Sequence, residues 1–174
     1  MRRSVIVATM MFISTAAYSQ TPYAGMHARE IKALSQEQVA DLTNGRGMGL
    51  ALAAELNGFP GPSHVLELAD KLDLTSDQRA SINMLFDSMK AEAVVLGLKL
   101  IEQESELDKQ FATRTVSPES LMASTASVAV TQGALRETHL KYHLSTAALL
   151  THNQMQRYAE LRGYGDQPVR HHHN

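Results

Sequence analysis

The chain has 174 residues, which sets an expectation of one domain or two small ones. Aromatic residues are 5% with no Trp, and there is no Cys, which excludes an aromatic-rich strand architecture, a stacking platform for single-stranded nucleic acid, a disulfide scaffold, a thiolate metal site and a Cys nucleophile. The formal net charge is −2 and no run of Lys or Arg occurs, so the basic footprint of a nucleic-acid partner is missing.

In chain order, Arg2 and Arg3 precede an apolar run from Val5 to Ala17, and Ala17-Tyr18-Ser19 offers small residues at the two positions a signal peptidase reads. This is the pattern of a secretory signal, with cleavage expected after Ser19 to leave a chain starting at Gln20. The apolar run is shorter than the ~20 residues needed to span a bilayer. Without Arg2 and Arg3 the balance becomes 14 basic against 18 acidic residues, a net −4. A soluble, periplasmic protein is the expectation. The division is residues 1–19 as signal peptide, 20–62 as an N-terminal helical segment, 63–165 as a helical hairpin domain and 166–174 as a disordered His-containing tail.

Residues from Ala24 to Ala33 have room for a short helix. Ser35-Gln36-Glu37-Gln38 is a capping box, in which the Ser hydroxyl takes a backbone N–H and Gln38 reaches back to that of Ser35. The segment from Val39 to Asn57 places Leu42, Leu50, Leu52 and Leu56 among alanines but carries Gly45, Gly47 and Gly49, each costing up to ~1 kcal/mol in a helix. A weak or kinked helix is expected there, or close packing of another backbone. Gly58 to Pro62 forms a break, and a short helix is expected from Ser63, with Val65, Leu68, Ala69 and Leu72 apolar.

A second capping box, Thr75 to Gln78, opens a long helix over about Ser76 to Ala112, with an inner stripe of Ile82, Leu85, Met89, Ala93, Leu96, Leu100, Leu107 and Phe111. Ser117 caps the next helix, with Pro118 at its first position, and this helix runs to about Leu149. Its expected inner stripe is Leu121, Thr125, Val128, Gln132, Leu135, His139 and Tyr142. Thr151 to Gln154 is a further box opening a last helix, with Met155, Tyr158 and Leu161 inward and Gly163 closing it.

Two of these boxes are copies of one another: Leu74, Thr75 and Gln78 match Leu150, Thr151 and Gln154 as L-T-x-x-Q. With the export signal, the all-α pattern and the His-containing tail, the pair resembles the Spy/CpxP family of periplasmic proteins, over about Ser63 to Gly163. The resemblance implies an all-α fold built on a long antiparallel helical hairpin with short flanking helices, dimerising into a curved cradle. It implies an ATP-independent chaperone-like or envelope-stress role, with unfolded periplasmic proteins or a membrane stress sensor as partners. Related metal-resistance and metal-sensor proteins share that hairpin.

His139 and His143 stand one helical turn apart and share a face, a spacing at which two imidazoles chelate one ion such as zinc, copper, nickel or cobalt. The competing reading makes His139 a residue of the inner stripe and His143 its solvated neighbour. Third-ligand candidates are His64 with Glu67 and, further away, His27 beside Met26. His171, His172 and His173 form a second imidazole cluster in the tail. Leu140 stands where a zinc protease of the H-E-x-x-H type needs Glu. Met48, Met84, Met89, Met122 and Met155 fit helical packing better than a copper site. No nucleophile elbow, phosphate loop or carboxylate pair is legible, so no enzyme activity and no required cofactor are expected.

Overall fold

A computed structural model describes residues 23–164, and all regular structure among them is helical. The expected signal, its cleavage site and the tail with His171, His172 and His173 lie outside the described residues. A 3-10 turn at Met26–Ala28 is followed by α1 (Gln36–Thr43), α2 (Leu52–Glu55), α3 (Pro62–Glu67), α4 (Ser76–Ala112), α5 (Pro118–Leu149) and α6 (His152–Leu161).

The helix starts follow the local chemistry of the sequence. Ser35, Thr75, Ser117 and Thr151 each accept the backbone N–H three residues on, and the side chain at that position accepts the cap's own N–H. Pro62, read as part of the break, instead opens α3, because the first helical position needs no N–H. The helix expected over Ala24 to Ala33 shrinks to the three-residue turn, entered through Gly25 at φ 81°. No side-chain cap starts it, and it ends at Arg29, whose N–H closes on the Met26 carbonyl while its own backbone turns extended. The glycine segment divides α1 from α2. Gly45 sits at φ 66°, and a Cβ there would come within 2.9 Å of the Lys90 carbonyl, so this turn rests directly on α4.

α4 and α5 pack along one another. Contacts pair Gln78 with Leu149, Glu92 with Lys141 and Tyr142, Gln103 with Ser127, and Gln110 with Ser124. One core cluster joins Leu42, Ala93, Leu100, Val128 and Leu135, and a second joins Val65, Leu72, Ile82, Leu150 and Tyr158. Gly97 places α1: a Cβ there would lie 2.3 Å from the Leu42 carbonyl oxygen, so only glycine lets the end of α1 approach the long helix this closely.

The expected inner stripe of α5 is partly corrected. Val128, Leu135, His139 and Tyr142 are buried, but Leu121, Thr125 and Gln132 are exposed, and Thr131, Thr138, His143 and Thr146 take buried places instead. The buried set 128, 131, 135, 138, 142 alternates threes and fours, the spacing of a seam between two helices. Threonines fill it because short side chains permit close approach of a neighbouring helix. On α4 the expected stripe holds except at Phe111, which lies at the outer end of the helix and is exposed, as is Leu161 at the end of α6.

Candidate functional site

The L-T-x-x-Q copies meet. Gln78 Oε1 accepts the Thr75 N–H at 3.1 Å and Gln154 Oε1 accepts the Thr151 N–H at 2.9 Å, completing each helix cap. Gln78 Nε2 donates to Gln154 Oε1 (2.9 Å) and to the Leu149 carbonyl (2.8 Å). Gln154 Nε2 answers with bonds to Gln78 Oε1 (3.0 Å) and the Leu72 carbonyl (3.2 Å). The starts of α4 and α6 are thus clamped by a reciprocal amide pair across 76 residues of sequence. Leu74 and Leu150 pack in the second core cluster beside it. Each amide oxygen accepts from its own cap and from the other glutamine, and each amide nitrogen donates to the other glutamine and to a distant carbonyl. This pairing needs both donor and acceptor on one side chain, as Gln supplies.

The histidines expected to bind metal gather elsewhere, at a pocket of about 280 Å³ between the glycine segment and the two long helices. His139, His143 and His64 all line it, together with Glu55, Met48 and Met89. His64 turns to Glu55, its Nδ1 lying 3.4 Å from the carboxylate, rather than to Glu67. His27 lies in the exposed 3-10 turn, on the other side of the break. Both members of the helical pair are buried, so His143 is not the solvated neighbour one reading made it. Its Nδ1 donates to the Phe59 carbonyl at 2.7 Å, and its other nitrogen lies against Gly61, where a Cβ would stand 2.6 Å away. His139 is 2% exposed, and its Nε2 has no hydrogen-bond partner. Burial and then the neighbouring His143 push its pKa below the ordinary histidine value, so it is neutral near pH 7.

The pocket's acidic member was not legible in the sequence. Glu55 is 5% exposed and surrounded by donors. Tyr158 and Tyr164 hydroxyls donate to its Oε1, the Gly61 N–H donates to its Oε2 at 3.2 Å, and Arg162 Nε lies 3.7 Å away. Burial works against ionisation, but His64, the Tyr158 hydroxyl and the Gly61 amide outweigh it and hold the carboxyl at about 2. Burial and the same carboxylate push the Tyr158 phenol up. A carboxyl held so low is a weak base at neutral pH, so the cluster is suited to holding segments together rather than to moving protons. The one available signal was a Glu at the end of a run of Leu and Ala, where a charge has to be paired if it is buried.

The metal-ion reading can be tested on this geometry. His139 offers an unengaged nitrogen, but the nitrogen that His143 leaves free lies against Gly61, and Glu55 is committed to two tyrosines. Among the described residues no three His, Cys, Asp or Glu side chains are grouped to hold one ion. As arranged, the residues do not fit a bound metal.

The methionines divide differently from the packing expectation. Met89 is buried and Met155 half-buried, but Met48, Met84 and Met122 are exposed, the last two by 64% and 70%. No helix among the described residues is long and apolar enough to cross a membrane. No family model matches the chain, and no curated protein or solved structure does.

Proposed function

We propose that this chain is a non-enzymatic, ATP-independent chaperone-like protein of the periplasm, resembling the Spy/CpxP family, that holds unfolded clients on a long helical hairpin. In this reading two copies join into a curved cradle. One observation carries it. After burying their inner stripes, both long helices keep a second set of apolar side chains in water. On α4 these are Met84, Val95 (67%) and Leu98, and on α5 Met122, Val130 (71%) and Leu144. The α4 positions 84, 95 and 98 share one helix face, and the α5 positions 122, 130 and 144 fall within one side. Apolar side chains repeated in water along one face of a long helix, interspersed with polar ones, suit weak and varied contacts, and flexible methionines suit clients of varied shape.

The test is suppression of aggregation of a reduced model client by the mature chain, without nucleotide. Activity is expected, with loss on changing Val95 and Val130 to Glu while the helical signal persists. An unchanged effect of that variant would overturn the reading. Sedimentation at tens of micromolar is expected to give a dimer, and a monomer would remove the cradle.

A second reading, binding of a heavy-metal ion, is favoured by the buried, unpartnered Nε2 of His139 beside His143 and His64. It requires an ion to reach the His143 nitrogen that lies against Gly61, so binding should displace the Phe59–Gly61 segment. Zinc, copper, nickel and cobalt titrations of His139→Ala, and of a chain truncated after Gln167, separate this pocket from the tail. If no ion binds the intact chain below ~10 μM, the reading fails.

A further inference from the structure

The chain around the 3-10 turn leads into an arm that lies along α4. Lys32 fastens it, its backbone N–H donating to Asp108 Oδ1 and its ammonium to Oδ2, both at 3.2 Å, and the neighbouring Ile31 is buried. Between arm and helix runs an open groove of about 970 Å³. Its floor is apolar: Ile31 and Leu34 from the arm, Leu98 and Ile101 from α4. Leu98 belongs also to the exposed stripe with Met84 and Val95, so the groove is continuous with the surface assigned to clients. Its edges are acidic. Glu30, Glu37 and Glu102 line it and are exposed, and none has a Lys, Arg or His nitrogen within salt-bridge reach among the described residues. Arg29 is the one cation in the lining, and its guanidinium is turned to the Lys32 carbonyl at 3.4 Å. The fastened arm makes the groove preformed, the floor asks for apolar side chains, and three unpaired carboxylates ask for cations beside them.

We infer that the groove between the Ile31–Leu34 arm and α4 binds peptide segments that alternate apolar and basic side chains. This deepens the chaperone-like reading and rests on it for its biological meaning, naming basic, amphipathic stretches as the client class. The net negative charge of the chain attracts the same class over longer range.

The experiment uses the full mature chain and three fluorescent synthetic peptides of one helical pattern, with leucines spaced by lysines, glutamates or glutamines. Anisotropy should show the Leu/Lys peptide binding about ten-fold more tightly than the Leu/Glu peptide, the sum of a few exposed ion pairs. The preference should shrink at ~1 M salt, where the Debye length is about 3 Å. The triple change Glu30→Gln, Glu37→Gln and Glu102→Gln touches no ion pair and should keep the fold, yet erase the preference. Leu98→Asp should weaken the Leu/Gln peptide. Equal affinity for the lysine and glutamate peptides, or a triple variant that retains the preference, overturns the inference. Client aggregation is measured in parallel. Suppression without any peptide preference leaves the chaperone reading standing and removes the groove. Preference without suppression of any client supports the groove and removes the chaperone reading.

Discussion

The amide clamp gives a prediction whose size follows from counting bonds. Gln78→Ala removes the acceptor of the Thr75 N–H, the donor to the Leu149 carbonyl and both bonds to Gln154. Gln154→Ala removes the acceptor of the Thr151 N–H, the donor to the Leu72 carbonyl and the same two shared bonds. A net intramolecular hydrogen bond is worth about 1 kcal/mol, and some exposure of the amides lets water recover part of it, so each single change should cost about 3 kcal/mol. The double change loses the shared bonds only once. It should cost about 4.5 kcal/mol rather than about 6, a coupling of about 1.5 kcal/mol. Urea unfolding followed by helical circular dichroism, on the wild type, both singles and the double, closes the cycle. If the two costs add to within ~0.5 kcal/mol, the copies are independent helix caps and the clamp argument is wrong.

Thr75→Ala and Thr151→Ala each remove one cap and should cost about 0.5–2 kcal/mol, with client binding falling only as far as stability falls; a stable variant that loses clients would show the motif surface acting directly. Gly97→Ala drives a methyl into the Leu42 carbonyl and should cost about 1–3 kcal/mol, whereas Gly133→Ala, with nothing within 4 Å, should stabilise α5 by up to about 1 kcal/mol; thermal unfolding that gave both the same sign would contradict the packing described. Acid should weaken the fold in two stages. The folded His139 resists protonation that the unfolded one accepts near pH 6.5, so its contribution is complete above that value and is lost as pH falls below it. Glu55 contributes fully above its ordinary 4.5 and loses that contribution as pH falls toward about 2, a displacement corresponding to about 3 kcal/mol. Unfolding midpoints measured from pH 8 to 3 should lose the upper limb in His139→Leu and the lower limb in Glu55→Gln; a Glu55→Gln profile parallel to wild type would refute the assignment.

The sequence determined where the four capped helices begin, because a cap is a contract between residues three apart. Ser35, Thr75, Ser117 and Thr151 hold their helix starts through bonds that need no distant partner. The bounds expected for both long helices, Ser76 to Ala112 and Pro118 to Leu149, are those observed. The duplicated motif was legible as well, but its reciprocal pairing was not, since nothing within either copy says that the other lies beside it.

Tertiary structure decided the rest. Which side of α5 faces inward turned on Thr131, Thr138 and Thr146, whose small size matters only once another helix lies against them. Gly97 looked like any helical glycine until Leu42 came to rest on it, while the conspicuous Gly45, Gly47 and Gly49 served chiefly to end one helix before the next. Glu55 became the centre of a buried cluster through Tyr158 and Tyr164, 103 and 109 residues away. His139 and His143 read equally well as a chelating pair or as packing, because spacing fixes a shared face but not what fills the space before it. Phe59, Gly61 and Glu55 fill it here, and a charge balance among residues so far apart is set only when the chain has closed around them.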